Sequence, residues 1–151
     1  MKYNEPKLFY EPIDKPYSIM KPIIHGAKGE MSREDQATIC ALIRDNLPKK
    51  VLEVGVAAGG TTAVVMNCLQ IVSEDAEMYS VDLNTRYYRD PEKAETGYLY
   101  RQAEKEIDFK IKHEFLLGKS LPFWIDKIGA GIDFLILDTV HSMPGEMLDF
   151  L

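Results

Sequence analysis

The chain has 151 residues, 46% hydrophobic and 28% charged, and its 18 basic and 24 acidic side chains leave a net charge of −6. That describes one globular domain, which buries roughly two-thirds of its unfolded surface and needs no disulfide or metal to fold. The acidic balance argues against a nucleic-acid binder, because neutralising phosphates takes clustered positive charge.

Cys40 and Cys68 are too few for a disulfide scaffold and lie in apolar helical patterns, so they read as buried thiols in a reducing compartment. The N-terminal stretch MKYNEPKLFYEP lacks the apolar core of a signal peptide. Strictly apolar runs reach five residues, where a membrane helix needs about 20. The expected setting is cytoplasmic, with neither membrane nor nucleic acid as partner.

Residues 1–30 hold Pro6, Pro12, Pro16 and Pro22, which exclude a long helix. They also carry Tyr3, Phe9, Tyr10, Tyr17, Ile19 and Met20, too apolar for a free tail. This predicts a Pro-rich extended arm lying on the domain, residues 31–151, or on a neighbouring copy. Ser32 can cap a helix running to Leu47, with Asp35 at the reciprocal capping position and Pro48 as the stop. Lys50–Val54 reads as a buried strand and Thr61–Val72 as a helix. Met78–Val81 is a second strand ending at Asp82. A helix is expected near Ala94–Ile107, a third strand at Ile111–Leu117, and a short helix at Leu121–Ile128 that places Phe123 and Trp124 in the core. Ile132–Leu137 is a fourth strand, apolar enough to be covered on both faces. Pro144–Leu151 starts another helix. Strands alternating with helices predict an α/β doubly wound, Rossmann-like, mostly parallel sheet. A last helix with no strand after it suggests that C-terminal strands are missing.

Glu53-Val54-Gly55-Val56-Ala57-Ala58-Gly59-Gly60-Thr61-Thr62 joins the first strand to the helix after it, where the carboxyl end of a central strand faces a ligand crevice. Gly55 allows a sharp turn, Gly59 and Gly60 allow close backbone approach, and the helix N-terminus offers N–H groups to a negative group. Ala57 breaks the G-x-G-x-x-G dinucleotide spacing, and Gly60-Thr61-Thr62 lacks the lysine of a phosphate-binding loop. What remains is E-x-G-x-x-x-G.

That pattern resembles the first motif of class I S-adenosylmethionine-dependent methyltransferases, and the likeness runs from about Gly26 to the end of the chain. It implies a cofactor site over Glu53, Gly55, Val56, Ala57, Gly59 and Thr61, with the strand order 3-2-1-4. Asp82, followed by Leu83, stands where the family contacts the ribose. Gly118 and Ser120 match the loop along the adenine, while Lys119 departs from the acid often found there. The strand end Asp138-Thr139-Val140-His141-Ser142 resembles the catechol O-methyltransferase-like branch. That resemblance implies Asp138 as a ligand of Mg²⁺, a second cofactor, and as a cofactor contact. It makes His141 the catalytic base beside Asp138. Met31 is placed at the methionine end of the cofactor. Arg86-Tyr87-Tyr88-Arg89 reads as a lid or subunit contact, and His25 and His113 as structural.

The function so implied is methyl transfer from S-adenosylmethionine to an oxygen or nitrogen of a small-molecule acceptor. Two alternatives stand beside it: a non-catalytic cofactor-binding or assembly module, and a metal-dependent relative resembling cephalosporin hydroxylases. A homo-oligomer would form through the N-terminal arm or the open edge of the fourth strand.

Overall fold

The computed structural model describes residues 6–139. Its sheet has four parallel strands in the order β3-β2-β1-β4, formed by β1 (Lys50–Val54), β2 (Glu77–Asp82), β3 (Lys112–Leu117) and β4 (Phe134–Leu137). Five helices accompany it: α1 (Glu11–Ile19), α2 (Arg33–Asn46), α3 (Gly60–Val72), α4 (Tyr98–Glu104) and α5 (Leu121–Ile128). The expected strand order and the α/β architecture are both found. The helix expected at Pro144–Leu151 lies outside the described residues.

Local chemistry sets the element ends. The Ser32 hydroxyl caps α2 by accepting from the Asp35 N–H at 3.1 Å. Leu47 closes that helix in the left-handed region, at φ 47°, just before Pro48. The helix expected over Ala94–Ile107 is shorter, because residues 84–96 are folded into an irregular loop. There Tyr87 and Ala94 share a backbone hydrogen bond, and Arg86 bridges to Glu95.

The sheet's two faces are covered unequally. On one, Val51, Met78 and Ile136 pack under α1, α2, α3 and α4, with α3 at the centre. On the other, Leu52, Val54, Tyr79, Val81 and Leu116 are covered by α5 through Ile128, Leu121 and Trp124.

Two expectations need correction. Residues 11–19 are helical rather than extended. Pro12 sits in the first turn, where a missing N–H costs nothing; Pro16 lies inside the helix and removes one donor, and the Pro12 carbonyl it leaves accepts from Asn67 of α3 instead. Phe123 is not a core residue: it is 63% exposed and only its neighbour Trp124 packs on the sheet. Cys40 and Cys68 are buried free thiols as expected.

Candidate functional site

Three strand ends meet at one place. The β1–β2 ladder runs on through Gly55, whose N–H donates to the Val81 carbonyl at 2.9 Å. The β1–β4 ladder runs on through Asp138, whose N–H donates to the Val54 carbonyl at 2.9 Å. The chain then turns at Gly55, at φ 98°. A side chain at Gly55 would overlap the Asp138 carbonyl, so glycine here lets β4 pass tight against the turn.

Ala57, at φ 48°, holds the tip of the turn in the left-handed region. Two contacts hold it there. Its N–H and that of Val56 donate to Asp82 Oδ2 at 3.0 and 2.9 Å, and its carbonyl accepts from Gly97 N–H at 2.9 Å. Asp82 Oδ1 accepts from Asn84 N–H at 2.8 Å. One carboxylate at the end of β2 thus fastens the β1 turn and the start of the next loop together.

Beside this turn opens a cleft of about 1140 Å³, ample for a cofactor-sized molecule. Its floor is Gly55–Thr61, with Asp82 and Leu83 at the end of β2. Ser120 and Leu121 after β3, Met31 and Ser32 before α2, and Leu137, Asp138 and Thr139 at the end of β4 also line it. Of the residues expected from sequence, Gly55, Val56, Ala57, Gly59, Thr61, Asp82, Leu83, Ser120, Asp138 and Met31 all line it. Lys119 lines it too, beside the Phe123 ring.

Two expected cofactor contacts stand elsewhere. Glu53 is 1% exposed and lies behind the turn, where its carboxylate accepts from the Thr62 hydroxyl at 2.8 Å. Burial pushes its pKa up to about 7, against hydrogen bonds from Ser80 and Thr62 that lower it. The charges of Asp138 and Asp82 push it further up. Gly118, at φ 82°, gives its N–H to the Asp82 carbonyl at 2.9 Å and shapes the loop without facing the cleft.

Gly59 and Gly60, which line the cleft, also make room for neighbouring backbone. A Cβ on Gly59 would come within 2.7 Å of Gly97 Cα, and one on Gly60 would overlap the Lys28 carbonyl. Their bareness lets three chain segments pack together around the cleft.

Sequence reasoning missed Glu30. Its carboxylate accepts from the Tyr87 and Tyr88 hydroxyls at 2.5 Å each and pairs with Arg89 at 3.4 Å. Tyr87 is fully buried and Arg86 ties its own loop to the Pro91 and Glu92 carbonyls, so neither belongs to a free basic-aromatic patch. Tyr88 and Glu30 both line the cleft and join its two rims. No local pattern signals a carboxylate whose partners are 57 and 58 residues away.

His113 is structural, as expected. Its Nε2 meets Ser80 Oγ at 2.9 Å, and its ring packs on Tyr100 and Phe115. Burial, aided by the Arg101 charge, lowers its pKa to about 4. His141, the expected base, lies outside the described residues. Among the described residues no group of three His, Cys, Asp or Glu side chains could hold a metal ion. Mg²⁺ seeks an octahedral oxygen set, which Asp138 by itself does not make, and nothing further among the described residues supports the implied metal. Among them, too, no helix is long and apolar enough to cross a membrane.

A scan of protein-family models gives no match, and a search of curated proteins gives none. Among solved structures the chain is similar to the S-adenosylhomocysteine-bound methyltransferase PaMTH1 of Podospora anserina. The TM-score is 0.64 and the identity 14%, over 88% of this chain and 52% of that one. The chain thus spans about half the length of that relative. The likeness is one of fold: a four-stranded parallel α/β sheet of the Rossmann-like methyltransferase type.

Proposed function

We propose that the chain binds S-adenosylmethionine in the cleft beside the Gly55–Gly59 turn and serves methyl transfer to an oxygen or nitrogen of a small-molecule acceptor. The observation that carries this reading is the cleft's composition along its length. An N-terminal helix end with Thr61 stands at one side, the Asp82 carboxylate on the floor, and apolar Leu83 and Leu121 near Ser120. Those features suit, in turn, a carboxylate, a ribose hydroxyl and a flat base. The fold is also that of a protein with S-adenosylhomocysteine bound.

The sulfonium group, when bound, supplies a methyl already activated for transfer. The chain's own task is then positioning. Asp82 holds the turn with three of its carboxylate's four acceptor sites and keeps one, on Oδ1, for a hydroxyl donor. Asp138, at the end of β4 in the cleft lining, orients the acceptor. In this reading His141 takes the acceptor's proton, a role that suits an imidazole titrating near neutrality.

Isothermal titration of the chain with S-adenosylhomocysteine tests the proposal. Binding with a dissociation constant on the order of micromolar is expected, weakened at least about tenfold in Asp82→Ala. A folded sample that takes up no S-adenosylhomocysteine overturns it.

A further inference from the structure

Gln36 lies on α2, outside the cleft, yet is 1% exposed and reaches the cleft wall. Its Nε2 donates to Thr61 Oγ1 at 3.1 Å. The side-chain amide also hydrogen-bonds the Tyr17 hydroxyl of α1. Gly29 leaves the room this needs: a Cβ there would stand 2.7 Å from Gln36 Nε2 and 3.2 Å from the Tyr17 hydroxyl oxygen. The amide is held so firmly that its Oε1 stays buried with no hydrogen-bond partner among the described residues. Buried acceptors are rarely left so, and the exceptions need a reason.

The consequence falls on Thr61. A hydroxyl has one proton and two lone pairs. Thr61 Oγ1 spends a lone pair on the Gln36 amide, so its proton must go to another acceptor. A helical threonine often gives it to a carbonyl one turn back. The carbonyls four and three residues back, those of Ala57 and Ala58, lie before the helix start at Gly60 and accept from Gly97 and Leu99 N–H, and neither accepts from Thr61 Oγ1. Thr61 lines the cleft in the first turn of α3, whose leading N–H groups lack partners within the helix and favour negative charge.

We infer that Gln36 is a positioning residue: through Thr61 it turns a hydroxyl proton into the cleft, so that this end selects the carboxylate of the ligand's amino-acid portion. The inference rests on the proposed cofactor site and adds a residue from α2, with Tyr17 of α1 behind it.

The test is a comparison of two probes. S-adenosylhomocysteine carries the amino-acid portion; 5′-methylthioadenosine has the same nucleoside without it. Both are titrated into the parent chain, Gln36→Met, Thr61→Val and the double variant, each checked for native circular dichroism. Gln36→Met and Thr61→Val should each weaken S-adenosylhomocysteine about tenfold, the scale of one charge-assisted hydrogen bond, and the double variant little further. Methylthioadenosine should bind all four within about twofold. Should Gln36→Met not fold, Tyr17→Phe removes the amide's other anchor. It should weaken S-adenosylhomocysteine severalfold and leave methylthioadenosine alone. Equal loss for both probes, or none for either, overturns the role of Gln36. A parent chain that binds neither probe overturns the cofactor reading itself.

Discussion

At the residue scale, Gly55 and Gly26 form a natural experiment. Both have positive φ, 98° and 83°. Alanine at either meets the same kind of backbone strain, about 1 kcal/mol or somewhat more. At Gly26 nothing lies within 4 Å of the added carbon, whereas at Gly55 that carbon would stand 2.6 Å from the Asp138 carbonyl carbon. Gly55→Ala should therefore cost about 3 kcal/mol, the strain plus the shift of β4, and Gly26→Ala about 1 kcal/mol. Urea midpoints of the two variants measure the difference, and equal midpoints would mean that β4 does not press on the turn. The same residues show what the sequence could and could not tell. The spacing of Glu53, Gly55 and Gly59 was enough to place the turn and the cleft. It was silent on the division of labour, because Glu53 faces away from the cleft and the space beside Gly59 belongs to Gly97, 38 positions on. A linear motif names residues by position, and the partner that uses each is a matter of packing.

At the scale of elements, the sheet carries a buried polar file on the face beneath α3. Glu53 of β1 stands opposite Ser80 of β2, and His113 of β3 is opposite Met78, one step along the same face. Ser80 hydrogen-bonds Glu53 and meets His113 at 2.9 Å, and Thr62 of α3 closes the other end. The period-two pattern of three strands predicts that such residues share a face. That they join in one network depends on strand order and register. The two ends pull stability in opposite directions with pH. Glu53 ordinarily titrates near 4.5 and in the fold near 7. Between those values the folded chain binds the extra proton, so stability falls as pH rises, by on the order of 3 kcal/mol in all. His113 ordinarily titrates near 6.5 and in the fold near 4. There the unfolded chain binds the extra proton, so stability rises with pH. From pH 4.5 to 6.5 the two slopes oppose each other. Glu53→Gln should expose the rising limb and gain stability over the parent above pH 7. His113→Gln should expose the falling limb. Urea midpoints taken from pH 4 to 8, as differences from the parent, read each group separately. Parallel curves for all three proteins would rule the opposition out.

At the scale of the whole molecule, the position of α1 decides what the first thirty residues are for. Their prolines and aromatics suggested an arm, and composition alone does not distinguish an arm from a short helix seated on the core. The structure seats it: Ile13 is fully buried and Met20 1% exposed, both in the cluster around α3. Buried Asn67 of α3 donates to the Pro12 carbonyl at 2.8 Å, and Arg33 pairs with Asp14 at 2.7 Å. Through Tyr17 the same helix stands behind Gln36 and the cleft wall. The buried side chains carry most of this, since an exposed pair such as Arg33–Asp14 contributes at most about 1 kcal/mol. Ile13→Ala removes a packed side chain from a closed core and should cost about 2–5 kcal/mol, lowering the urea midpoint for the whole chain in one cooperative step. Phe123→Ala, on the sparsely covered face and 63% exposed, should stay within about 0.5 kcal/mol of the parent. The contrast is a direct measure of where the core lies. If residues 1–30 were an arm that left this domain for a neighbouring copy, Ile13→Ala would leave the midpoint of the isolated chain where it is. If α1 folded as a separate unit, the loss would appear as an early partial transition. A single displaced transition for Ile13→Ala, with Phe123→Ala unchanged, is what a helix built into the covered face of the sheet requires.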